Sequence, residues 1–273
     1  MSENVIETDV EIRTPDGICD AAFIHPASGS HPGVLFWPDA GGLRPVTRQM
    51  GRRLAAEGYS VLVPNPFYRI SKAPFAGGFN LNFQNPPDMA KLRTLLESIK
   101  PAGYAERDAP AYVAFLDAQG EVDRTKPIGV QGYCMGGALV MRSAATLPGR
   151  IGAGASLHGG GLVTDGPDSP HLLASRIKAR MYFGIAADDD EKQPAARNRL
   201  RQAFEDANVP AEIEVYSGLH GWCMEDMPPR GDRAVYHPAD AERAWSKLLA
   251  LYKTALSWRA YDPPAHPVIY CRP

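Results

Sequence analysis

Ile128-Gly129-Val130-Gln131-Gly132-Tyr133-Cys134-Met135-Gly136-Gly137 joins a short apolar run to a cysteine flanked by glycines, and a helical pattern follows from Met135 to about Thr146. A strand that turns sharply into a helix needs small residues two positions before and after its apex, here Gly132 and Gly136, to relieve crowding. The apex residue is then held in a strained conformation, which is the context of a nucleophile elbow with Cys where Ser is commoner. The helix N-terminus places partial positive charge and unpaired N–H groups beside the sulfur and makes the Met135 amide an oxyanion donor. The turn alone also fits a buried structural thiol, so partner residues must decide.

Outward from the elbow, strands alternate with helices. Upstream, Gly33-Val34-Leu35-Phe36-Trp37 and Ser60-Val61-Leu62-Val63-Pro64 are continuous apolar runs bounded by Gly and Pro, as expected of strands buried on both faces. A helix over Val46–Glu57 lies between them and stops at Gly58. Before these, Val10 to Arg13 and Ile18 to Ile24 flank Pro15-Asp16-Gly17 and predict a hairpin. Helical patterns at Asp88–Ile99 and Ala105–Ala118 precede the elbow. Strands at Gly154–Leu157, Arg180–Ala187 and Ala211–Tyr216 follow it, with helices at Pro194–Ala207 and Pro238–Tyr252. The alternation predicts an α/β fold, a doubly wound and mostly parallel sheet entered through an antiparallel hairpin. Residues 65–87, rich in Pro, Asn, Gly and Phe without a clear period, are a candidate cap loop over a site.

A nucleophile needs a base, and in this kind of fold the chain order is nucleophile, acid, histidine. Of seven histidines, His25 and His31 precede the elbow, His158 and His171 come too early, and His266 is in the tail. His237 adjoins Pro238 at a helix start and reads as a cap or surface residue. His220, in Ser217-Gly218-Leu219-His220-Gly221-Trp222, follows the last predicted strand and can swing over the carboxyl edge of the sheet. An ordinary imidazole titrates at about 6.5 and would put a limb of the pH profile near neutrality. The orienting acid should end the preceding strand, where Asp188-Asp189-Asp190-Glu191 follows Ala187; Asp189 is favoured over Asp188, with Asp190 third.

Composition narrows the class. The chain has 273 residues, 44% hydrophobic and 22% charged, enough for a sizeable core and unlike a disordered chain; residues 1–258 read as one domain and 259–273 as a proline-rich tail. With 29 basic and 31 acidic residues, net charge −2, no electrostatic footprint for nucleic acid or an anionic membrane is present. Met1-Ser2-Glu3-Asn4 lacks the start of a secretory signal, so a cytoplasmic location is expected. Cys19, Cys134, Cys223 and Cys271 form no CxxC pair. No phosphate-cradling loop occurs, and His158, Asp165, Asp168 and His171 match no common metal-ligand spacing, so neither cofactor nor metal is expected. His158-Gly159-Gly160-Gly161 looks like a lipase oxyanion motif but follows the nucleophile instead of preceding it, and is read as a strand end near the site.

These residues resemble the dienelactone hydrolase (carboxymethylenebutenolidase) family of α/β-hydrolases over about residues 10–255. The likeness rests on the elbow, on Phe183-Gly184-Ile185 leading to the acids, on Leu219-His220-Gly221-Trp222, and on Tyr236-His237-Pro238-Ala239-Asp240-Ala241-Glu242-Arg243-Ala244-Trp245. It implies an α/β-hydrolase fold and a Cys134-Asp189-His220 triad that hydrolyses a small ester, lactone or thioester through an acyl-enzyme. It further implies that Asp39, in Trp37-Pro38-Asp39-Ala40-Gly41-Gly42, contacts the resting thiol, and that the Ala40 amide is a second oxyanion donor. Tyr133 and Trp222 are expected against the substrate. The family's arginine four residues after the histidine is Met224 here, which disfavours dienelactone itself; Arg69, Arg230 and Arg233 are the spare cations near the mouth. An acyltransferase, or an idle hydrolase fold that binds a ligand, are the alternatives. The expected partner is a small-molecule ester or lactone, with no nucleic acid or membrane, and the chain is a monomer or homodimer.

Overall fold

The computed structural model describes residues 4–74, 85–99 and 103–257. The middle of the 65–87 stretch and the 259–273 tail lie outside the described residues. The hairpin is β1 (Val5–Thr14) and β2 (Gly17–Pro26). It is followed by β3 (Gly33–Trp37), α1 (Pro45–Ala56), β4 (Ser60–Pro64), α2 (Pro86–Ser98), α3 (Tyr104–Ala118), β5 (Ile128–Tyr133) and α4 (Met135–Thr146). Then come β6 (Ile151–Leu157), a 3-10 turn at Pro170–Arg176, β7 (Arg180–Ala186), α5 (Ala187–Lys192), α6 (Pro194–Asp206), β8 (Ala211–Tyr216) and α7 (Pro238–Ala255).

The strands form an eight-stranded sheet in the order β1-β2-β4-β3-β5-β6-β7-β8. β2 is antiparallel to β1 and β4, and each pairing from β4 through to β8 is parallel. All of β3 and β4 is buried because both faces are covered. Leu35 and Trp37 join the core built on α3, α4 and α6, whereas their neighbours Val34 and Phe36 join the core built on α1 and α7. Strands without a solvent face lose the polar half of the alternation, which is why they read as continuous apolar runs. Each large side chain so buried stabilises the fold by about 1.5–3 kcal/mol.

From β3 the chain moves outward to β4 and then crosses back to β5 on the other side of β3. The loops leaving the carboxyl ends of β3 and β5 therefore diverge, and an open α/β sheet binds ligands in the crevice between such loops. Residues 38–44 and Cys134 lie at this crevice. Two short elements carry no periodic signal in the sequence. α5 turns the Asp188-Asp189-Asp190 run into a six-residue helix, too short to show an apolar stripe but with its acids at the favourable N-terminal end. The Pro170–Arg176 turn has the same brevity.

The elbow depends on its missing side chains. A Cβ on Gly132 would lie 2.2 Å from the Gly136 carbonyl oxygen, and one on Gly136 would lie 2.6 Å from that of Trp37. Both obstacles are backbone, so neither can rotate away. Gly132→Ala should therefore lower the unfolding free energy by at least about 1–3 kcal/mol, whereas Gly120→Ala, which meets nothing within 4 Å, should change it by less than about 0.5 kcal/mol. Urea unfolding of the two variants checks this.

Candidate active site

Cys134 stands between β5 and α4 with φ 54° and ψ −117°. A positive φ is costly for a residue with a side chain, about 1–3 kcal/mol, and persists only where the surroundings impose it. Here the Cys134 N–H is shared between the Leu157 carbonyl (3.2 Å) and His158 Nδ1 (3.2 Å), and Gly160 N–H donates to the Cys134 carbonyl at 3.0 Å. The sulfur-bearing residue is partly exposed, while Cys19 and Cys223 are buried. Burial pushes the Cys19 thiol up to about 12 and the Cys223 thiol well above its usual range. Cys271 lies outside the described residues.

His220 is brought over the carboxyl edge by the loop after β8. Its Nδ1 lies 2.5 Å from Asp189 Oδ2, and the Cys134 sulfur is close enough to act on the charge of the ring. Burial disfavours a charged ring, yet the Cys134 sulfur and the Asp189 carboxylate outweigh it and push His220 up to about 10. Asp188 has a different task. It accepts the His220 backbone N–H (2.7 Å), Arg230 (2.7 Å) and Lys192 (2.9 Å). Burial works against its charge, but Lys192, the His220 amide and Arg230 prevail and hold it down at about 2. Asp190 pairs with Arg197 at 3.2 Å.

The Ala40 and Met135 amides have no acceptor among the described residues. Around them, Ala40, Phe67, Leu92, Leu95 and Met135 form an apolar cluster against which Cys134 packs. Two of these leucines come from α2, so a helix that starts at the end of the 65–87 stretch borders the cysteine.

A model described as the dienelactone hydrolase family matches residues 19–256. The chain belongs to the dienelactone hydrolase family. It is a hydrolase. A Synechocystis protein named "Putative carboxymethylenebutenolidase" is 27% identical over 234 residues, which is 84% of this chain and 89% of that protein. An Escherichia coli K12 protein of the same name is 26% identical over 234 residues, 83% of this chain and 78% of its own length. Among solved structures, a Klebsiella pneumoniae protein described as a "Putative Dienelactone Hydrolase" superposes with a TM-score of 0.75 at 24% identity, covering 92% of this chain and 99% of its own. An acylaminoacyl peptidase from Pyrococcus horikoshii gives a TM-score of 0.68 at 15% identity, covering 95% of this chain and 43% of its own. The fold is that of the α/β-hydrolases.

Other residues of this dienelactone hydrolase family member that the sequence singles out have partners of their own. Asp39 is drawn to Arg44, which reaches both carboxylate oxygens, and its Oδ1 also accepts the Gly41 N–H (3.1 Å). A guanidinium only 3% exposed requires a carboxylate partner, and Asp39 supplies it. Trp222 is fully buried, stacked on Tyr216 at 4.8 Å and set edge-on to His158 at 5.1 Å, so it supports the site from behind. Tyr133 points to the α1 and α7 side, where it lines a cavity of about 560 Å³ that does not include Cys134. Arg69 is bound to Asp16 and Asp108, and Arg230 to Asp188, so neither is spare. Arg233 is exposed and pairs through its backbone with Arg230. Met224 is fully buried, so the place of the family's arginine is core here.

His158 follows the end of β6 directly, as expected of a strand end near the site. It is wholly buried beside His220, with ring centroids 5.4 Å apart, and burial together with the His220 charge drives its pKa well below the usual value. A neutral ring can accept the Cys134 N–H, and a charged one cannot. His171 bonds Ser169 instead, and among the described residues no three His, Cys, Asp or Glu are grouped to hold a metal.

The raised His220 pKa has a definite sign. Its folded value, about 10, exceeds the unfolded value of about 6.5, so its contribution to stability is complete below about 6.5 and vanishes as pH rises through about 10. NMR titration of the His220 ring should give a midpoint near 10, moving down in Cys134→Ala. The urea stability gap between wild type and His220→Gln should narrow between pH 7 and pH 10. A midpoint near 6.5 in the wild type would contradict this electrostatic account.

Proposed function

We propose that the protein hydrolyses a small, uncharged and partly apolar carboxylic ester, lactone or thioester through a Cys134-His220-Asp189 triad and an acyl-enzyme. The observation that carries the reading is His220 engaged at once by Asp189 and by Cys134 at the crevice of the sheet.

The imidazolium formed in this pair stabilises a thiolate, the attacking form of cysteine. Cys134 Sγ adds to the substrate carbonyl, and the displaced electron pair goes to the carbonyl oxygen, where the Ala40 and Met135 N–H groups receive it. Collapse breaks the bond to the leaving oxygen or sulfur, which takes the His220 proton and departs, or stays tethered when the substrate is a lactone. Water then gives a proton to His220 and adds to the thioester, and collapse releases the acid and returns the Cys134-His220 pair. Asp189 keeps Nδ1 protonated and the ring oriented throughout. An oxyanion donor of this kind is worth about 10²–10³ in kcat. The apolar surroundings of Cys134, with Arg69 and Arg230 committed to carboxylates, favour a neutral acyl group over one that bears a second carboxylate.

Cys134→Ala should abolish turnover of p-nitrophenyl esters and small lactones, and His220→Ala should lower kcat by at least about 10³-fold, within the range seen when a triad member is removed. With small lactones, whose alkoxide leaving group needs a proton, wild-type kcat/KM should fall as pH rises through about 10, where the imidazolium loses it. Wild-type turnover in Cys134→Ala would exclude the mechanism, and ligand binding without turnover across the panel would exclude hydrolysis of this substrate class.

A further inference from the structure

The two loops that bracket Cys134 are tied together by one buried side chain. Arg44, the residue before α1, is 3% exposed. Toward the loop after β3, its Nη2 donates to Asp39 Oδ2 (3.0 Å), its Nη1 donates to Asp39 Oδ1, and Nη1 also reaches the Gly42 carbonyl at 3.3 Å. Asp39 in turn closes the turn that carries Ala40: Oδ1 accepts the Gly41 N–H (3.1 Å) and its carbonyl accepts the Gly42 N–H (2.9 Å). Toward the loop after β8, Arg44 Nε donates to Asp226 Oδ2 (2.7 Å) and Nη2 donates to Asp226 Oδ1 (2.9 Å).

Asp226 lies on the chain that leaves His220. Farther along the same segment, Arg230 returns to donate to the His220 carbonyl (3.0 Å) and to Asp188 (2.7 Å). The segment from Glu225 to Arg230 is thus a strap, pinned at one end to the turn that carries Ala40 and at the other to the histidine and its acidic helix. A planar guanidinium gripping two carboxylates fixes angle as well as distance, which a lysine at the same place does not.

We propose that Arg44 is a positioning residue for the hydrolysis proposed above, holding the Ala40 N–H in register with Cys134 by binding Asp39 and Asp226 together. The role rests on that hydrolytic reading. Arg44 acts through the Asp39 turn, to which it donates from both terminal nitrogens. Its loss should therefore impair the step that develops negative charge on oxygen and spare a reaction of the sulfur that develops none there.

Acylation of Cys134 by p-nitrophenyl acetate needs an oxyanion donor, whereas its alkylation by iodoacetamide needs only a reactive sulfur. Arg44→Lys should slow acylation and kcat by about 10–100-fold, less than the loss of a donor outright, with KM changed by less than about 3-fold and alkylation of Cys134 within about 3-fold of wild type. Asp226→Asn tests the same tie from its more exposed end, should Arg44→Lys fold poorly, and should lower acylation in the same direction by a smaller factor. Acylation unchanged in both variants, or acylation and alkylation falling together in Asp226→Asn while its thermal midpoint equals that of wild type, would overturn the role. A wild type that forms no acyl adduct on Cys134 would instead overturn the hydrolytic reading, and the positioning role with it.

Discussion

The approach of backbone to backbone at the elbow is the constraint on which the site depends. Gly132 meets the Gly136 carbonyl, Gly136 meets the carbonyls of Trp37 and Pro38, and Gly137 lies against Ser156 and Gly159. Three strand ends, those of β3, β5 and β6, are thereby held within van der Waals reach of one turn. That closeness places the Ala40 turn beside Cys134 and lets His158, at the end of β6, accept the Cys134 amide. It also accounts for a cysteine at φ 54°, since a strained residue survives only where its neighbours leave no alternative.

Charge is arranged around this turn in opposite ways on two adjacent imidazoles. His220 has the Asp189 carboxylate at Nδ1 and the Cys134 sulfur nearby, and the two together outweigh the cost of burial. His158, buried behind it, stays neutral because burial and the His220 charge outweigh the pull of Asp188. The neutral ring accepts a hydrogen bond where a cation would repel the Cys134 N–H. Asp188 supports the arrangement from below, with Lys192 and Arg230 keeping it ionised so that it can hold the His220 backbone.

Much of the architecture was legible in the sequence, for identifiable reasons. β3 and β4 agree with their expected bounds to the residue because a strand buried on both faces is a continuous apolar run with Gly or Pro at its ends. The Gly132-to-Gly136 spacing announced the elbow because steric demand at a tight turn is local. Chain order singled out His220 and the Asp188-to-Asp190 run as candidates, and the carboxylate that meets the His220 ring, Asp189, lies within that run. Side-chain direction was not legible. Trp222 follows His220 by two residues, yet its ring turns into the core against Tyr216. Asp39 follows a buried strand as expected, but its partner is set by Arg44, whose charge must be neutralised where it is buried. The Arg44–Asp226 pair, separated by 182 residues in sequence, left no periodic or motif signal, and α5 was too short to leave one.

The central claim is a covalent acyl group on Cys134, and rapid-quench mass spectrometry tests it most directly. Wild-type protein mixed with a p-nitrophenyl ester, quenched in acid within the first turnover and digested, should carry the acyl mass on the peptide containing Cys134. The adduct should disappear as substrate is exhausted. Steady turnover with no adduct on Cys134 at any quench time, or an adduct on another residue that decays at the rate of turnover, would contradict the account.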